Sequence, residues 1–257
     1  MTERGSRKHI LDWTGRPDFA EELVSLLAPV RCRMTPTSTW MPRGRSAPAE
    51  ARLSQFGPAS LPSIDWRELS TWWLKHSGNT PNWDLALQCD VEGQPGLVLV
   101  EAKANVPELS AQGKRVANER SVRSDENHAH IGAAIAEAQR GLSAVLPGIN
   151  IGHTSHYQLA NRLAFGWKLA TMGVPTVLLY TGFTGDEGIR DAGEPFADDA
   201  HWQAVFRAHL SDVCALCVLD VPLDLGVAKL WLLSRSTPVL RSSPARGRRP
   251  ATSGDRD

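Results

Sequence analysis

The stretch Leu97-Val98-Leu99-Val100-Glu101-Ala102-Lys103 most constrains how this chain can fold, because four consecutive apolar residues run directly into two charges. An uninterrupted apolar run of that kind reads as a strand buried on both faces. A charge carried into such a layer is costly unless it is paired or holds a metal. The end of this strand is therefore a candidate site. Upstream, Leu85, Leu87 and Cys89 alternate with Asp84, Ala86, Gln88 and Asp90, and the turn residues Glu92-Gly93-Gln94-Pro95-Gly96 separate the two runs, so the segment reads as a β-hairpin. With the turn centred near Gln94, Asp84 falls opposite Lys103 and Ala104. Glu101 and Lys103, two apart, share a face of the strand, and Ala102 points the other way.

The remaining elements follow from periodicity and punctuation. The chain has 257 residues, 42% of them hydrophobic, enough to bury the core of one elaborated domain. An amphipathic helix starts at Asp18, and the Pro-, Ser- and Arg-rich region 31–62 is expected to be irregular with a short strand at most. A second helix starts at Asp65, with Trp66, Leu69, Trp72 and Trp73 on its apolar face. Beyond the hairpin lie a polar stretch over 105–124, helices near 125–144 and 155–172, and a buried strand over 174–180, parallel to its neighbour because a helix connects them. An acidic loop (184–199), a helix (201–210) and strands over 213–220 and 227–233 complete the pattern, and composition predicts disorder from Arg241 onward. The expected division is 1–62 as an N-terminal helix and irregular extension, 63–240 as the main domain and 241–257 as a tail.

Lys plus Arg and Asp plus Glu both number 28, so the net charge is zero, which excludes a strongly basic nucleic-acid coat but not local patches. Three patches stand out: Arg31, Arg33, Arg43 and Arg45; Lys114, Arg115, Arg120 and Arg123; and Arg241, Arg246, Arg248 and Arg249. Each is either a phosphate contact or a solvated loop. The four cysteines form no framework, and the pair Cys214 and Cys217 lacks the second pair or histidines of a zinc site, so its segment reads as core strand. No apolar run is long enough to span a membrane and nothing resembles a signal peptide, so a cytoplasmic protein is expected.

Two carboxylates converging beside an ammonium suit metal-assisted attack on a phosphodiester. Asp84 and Glu101 supply the oxygens that a hard cation such as Mg²⁺ takes, with Mn²⁺ as a substitute. Lys103 can orient the attacking water and offset charge on the phosphate. The alternative is a structural ion pair of Lys103 with one of the acids.

Asp84, then sixteen residues, then Glu101-Ala102-Lys103 at the end of a hairpin strand flanked by helices resembles the PD-(D/E)XK, restriction-endonuclease-like superfamily. The resemblance covers about 65–183. It implies an α/β fold with a mixed central β-sheet flanked by helices, Mg²⁺ held by Asp84, Glu101 and the backbone carbonyl of Ala102, and hydrolysis of phosphodiester bonds of a nucleic acid, here DNA. It further suggests Glu68 as a third acid, although Asp65-Trp66-Arg67-Glu68 also reads as a capping box. Gln158, on the helix after the Glu-Ala-Lys strand, would reach the water or phosphate; the alternative is a solvated stripe of Gln158, Asn161, Arg162 and Lys168. Arg162 occupies the place where some branches carry a tyrosine, and with Lys114 and Arg115 it is assigned to substrate binding. The expected function is a Mg²⁺-dependent nuclease, with a non-catalytic nuclease-fold module binding nucleic acid or a protein partner as the alternative.

Overall fold

A computed structural model of the chain describes residues 4–56, 61, 64–114 and 121–239. Among these residues seven strands form one sheet: β1 (Cys32–Arg33), β2 (Thr39–Met41), β3 (Leu85–Val91), β4 (Gln94–Lys103), β5 (Thr176–Thr184), β6 (Pro222–Asp224) and β7 (Lys229–Pro238). Their order is β1-β3-β4-β5-β7-β6, with β2 also paired to β3. β4 runs antiparallel to β3 and parallel to β5, β5 runs parallel to β7, and β6 closes the far edge antiparallel. The parallel pairs are those whose connections contain helices, as crossover geometry requires. The chain is thus α/β, a mixed central sheet flanked by helices, as expected at that level.

The hairpin forms around a tighter turn than the sequence suggested. Glu92 and Gly93 have φ of 52° and 89°, the left-handed pair of a two-residue turn whose twist matches the flanking strands. Gln94 and Pro95 therefore belong to the strand, and Pro95, paired to Asp90, precedes the point where β5 joins at Leu97, so on that side its missing N–H is not needed. Because Leu85 pairs with Val100, Asp84 continues opposite Glu101, not opposite Lys103 and Ala104.

Six α-helices flank the sheet among the described residues: α1 (Gly5–Thr14), α2 (Phe19–Leu26), α3 (Trp66–Trp73), α4 (Val122–Ser143), α5 (Tyr157–Thr171) and α6 (Asp199–Ser211). Alternation along β4 separates two apolar layers. Leu97 and Leu99 pack with Ile131, Leu159, Leu163, Trp202 and Phe206 of α4, α5 and α6, whereas Val98, Val100, Ala102 and Ala104 pack with Ile10, Trp13, Phe19 and Leu23 of α1 and α2. The segment expected to be an extension therefore covers one face of the sheet and adds two strands to its edge, so a boundary near residue 62 would divide a shared core. α1 carries no first-turn acid or side-chain cap to announce it. Asp18 precedes α2 but binds Arg16 instead of capping the helix.

A second correction concerns 213–220, which forms turns and a short 3₁₀ helix (Leu216–Val218) rather than a strand. Its apolar residues are buried by one-sided packing, which composition cannot tell from a ladder in so short a run. Cys214 is buried just before that turn and Cys217 is exposed within it. The tail from residue 240, and Arg115 and Arg120, lie outside the described residues. No described helix is long and apolar enough to cross a membrane.

Candidate functional site

The charged end of β4 runs past its ladder with β3, pairs with β5 and lies under α5, which buries it: Glu101 is 3% and Lys103 5% exposed. Both face the layer beneath α5, whose first turns present Gln158 and Arg162, four residues apart and so on one face. Lys103 Nζ donates to Glu101 Oε1 at 2.6 Å and to Gln158 Oε1 at 2.8 Å, and Gln158 Nε2 donates to Glu101 Oε1 at 2.5 Å. Arg162 Nε donates to Glu101 Oε2 at 2.7 Å and its Nη2 to the Asn82 carbonyl at 2.9 Å. The guanidinium lies 4.4 Å from the Trp83 ring centroid, a desolvated cation–π contact. Asp84 is half-buried at the start of the hairpin, and its Oδ2 accepts the Ala102 N–H at 2.8 Å. Asp84, Glu101, Ala102, Lys103, Gln158 and Arg162 are thus brought together. Asn82, Trp83 and the burial of Arg162 were not anticipated; the available clue was that Gln158 and Arg162 share a face of a helix connecting two buried strands.

Charge is arranged differently from what the sequence suggested. Two acids and one lysine leave a surplus negative charge, but Arg162 supplies a second cation. Burial alone would raise the Glu101 carboxyl, yet the charges of Arg162 and Lys103 and their hydrogen bonds outweigh it and hold Glu101 below the usual carboxylate range. Asp84 goes the other way. Burial, reinforced by the neighbouring Glu101 charge, pushes its carboxyl up to about 7 against the opposing pull of Lys103, the Ala102 N–H and Arg162. Tyr180, the β5 residue paired with Glu101, is 2% exposed, and its hydroxyl has no hydrogen-bond partner among the described residues.

This predicts a pH dependence. The folded value of Asp84, about 7, exceeds the ordinary value of about 3.9, so the native state binds that proton more tightly than the unfolded chain does. The resulting stabilisation is complete below about pH 4 and is lost as pH rises through about 7. The depressed Glu101 value has the opposite sign but acts only in the acid range below that window. Asp84→Asn should flatten the slope between pH 4 and 7 and exceed wild type in metal-free stability at pH 8; denaturant melts with wild-type slope in the variant would refute this.

Carboxylate oxygens and a backbone carbonyl are the donors a hard cation takes, and Mg²⁺ commonly uses only one or two carboxylates, with waters for the rest. Among the described residues no group of three or more His, Cys, Asp or Glu is assembled for a metal. To hold a cation between them, Asp84 would have to give up its proton and Glu101 would have to release part of its hold on Lys103 or Arg162.

Two assigned residues lie apart from this cluster. Glu68 pairs with Lys168 at 2.7 Å, and Lys168 is ten residues beyond Gln158, about 15 Å along α5. Asp65 does cap α3, accepting the Arg67 and Glu68 N–H groups, but the Glu68 side chain does not complete a capping box. Lys114 lines an open cleft of about 440 Å³ with Gln158, Tyr157 and Gln112, next to the cluster rather than within it. Compared with protein-family models, curated proteins and solved structures, the chain matches none.

Proposed function

We propose that the chain is a divalent-metal-dependent phosphodiesterase, a nuclease acting on DNA, built on a restriction-endonuclease-like core. The observation that carries this reading is the hydrogen-bonded cluster of Glu101, Lys103 and Gln158, with Asp84 beside it on the Ala102 N–H, drawn from the start of one strand, the end of a central strand and a covering helix. Asp84 and Glu101, with the Ala102 carbonyl, would hold Mg²⁺ or Mn²⁺, which when bound polarises the scissile phosphate. Lys103, held from two sides, donates a hydrogen bond to the attacking water and offsets charge building on the phosphate oxygens. Gln158 fixes the direction of that ammonium. Arg162 cancels the Glu101 charge, so a phosphodiester anion meets less repulsion on approach, and Lys114 stands beside Gln158 to receive it.

The test is cleavage of plasmid and single-stranded DNA by wild type and Asp84→Ala with Mg²⁺, Mn²⁺ or chelator. Metal-dependent cleavage that the variant lacks is expected, and full activity in excess chelator would overturn the proposal. One observation favours the alternative of a non-catalytic module binding nucleic acid or a protein partner: both Glu101 oxygens are already engaged by cations. Thermal melts separate the two. A metal at a hundred times its Kd stabilises the native state by about 2.7 kcal/mol, whereas a closed ion-pair set gives no specific shift.

A further inference from the structure

Two clefts meet at Lys114. The first, already described, begins at Gln158 and so adjoins the Glu101–Lys103 pair. The second, about 540 Å³, continues from Lys114 to the first turns of α4, where Asn79, Arg123, Asn127 and His128 line it. Neither lining contains a carboxylate among the described residues. Glu126, on the same turn of α4, is turned to Lys75 and His76. Two permanent cations, Lys114 and Arg123, line this cavity at the N-terminal end of a 22-residue helix whose first turn also carries Asp125. The Lys114 ammonium sits 5.1 Å from the Tyr157 ring centroid, which holds it at the junction.

We infer that this double cleft carries the backbone of the substrate strand away from the cluster, with Lys114 and Arg123 neutralising phosphates that flank the scissile one. The inference rests on the phosphodiesterase reading and adds to it the direction in which the strand leaves the site. Cations that contact phosphates position a polynucleotide without reading its sequence, since a phosphate carries no base information. The same chemistry serves DNA and RNA.

The test is fluorescence anisotropy of labelled single-stranded oligonucleotides, one of DNA and one of RNA, with Ca²⁺ as the metal and across a salt series. Wild type is compared with Lys114→Ala, Arg123→Ala, the double variant, and Arg207→Ala as a control for loss of an exposed charge on α6. Each cleft variant should bind about five- to tenfold more weakly and lower the slope of log affinity against log salt by about 0.7, the double variant by about twice that, and the control by neither. An oligonucleotide with uncharged methylphosphonate linkages should bind wild type and double variant alike. Equal affinity for DNA and RNA assigns recognition to the phosphates alone, and a preference for one adds a sugar contact to them. If the double variant keeps the wild-type affinity and slope while metal-dependent cleavage persists, the path is wrong and the phosphodiesterase reading stands. If wild type neither binds nor cleaves either strand, both fall.

Discussion

Lys103→Ala is expected to reduce phosphodiester cleavage by roughly 10²–10⁴-fold while the protein still folds and still responds to Mg²⁺. Lys103 Nζ hydrogen-bonds to Glu101 and Gln158 among the described residues, and both keep another contact when it is removed, because Arg162 remains on Glu101 and Gln158 Nε2 still donates to Glu101 Oε1. The stability cost should therefore stay near about 1–3 kcal/mol, the penalty of one buried acceptor left unpaired. Cleavage rates and melts on the same preparations check this. A stable variant that cleaves like wild type would remove Lys103 from the chemistry.

Arg162→Ala should instead cost about 3–5 kcal/mol, because a buried, doubly anchored partner of Glu101 is lost together with the Asn82 carbonyl bond and the Trp83 stacking. Mg²⁺ should recover part of that loss by taking the vacated side of Glu101, so the metal-induced rise in melting temperature should be larger in this variant than in wild type. Denaturant unfolding with and without Mg²⁺ measures both quantities. Wild-type stability in the variant would mean that the Glu101 charge is compensated elsewhere.

The contrast between these two residues shows what was legible beforehand. Glu101 and Lys103 were visible because charge at the end of an apolar run violates local expectation, and period two places them on one face. Asp84 was found as a ligand candidate but set opposite the wrong residue. Five turn-forming residues in a row place the reversal near Gln94, whereas Glu92-Gly93 alone makes it with both φ positive. Arg162 was read as a substrate contact on a polar stripe with a solvated face as its alternative, because helical periodicity identifies a stripe without saying what covers it. Its cover is the β4 end, which lies 61 residues away in sequence. The N-terminal layer was missed for a related reason. α1 and the two short strands are held by tertiary contact with β3 and β4 rather than by strong local signals.

The long sequence separation between Glu101 and its helix-borne partners also has a kinetic meaning. The hairpin can form early, since its ends are joined by a two-residue turn, but Arg162 and Gln158 reach Glu101 only when the loop through α4 closes and α5 docks. Until then Glu101 is an ordinary carboxylate beside Lys103. The cluster therefore cannot be complete before α5 docks on the end of β4. Trp83, whose ring faces the Arg162 guanidinium, lies where the two halves meet, so its surroundings should change in the phase in which α5 docks on refolding.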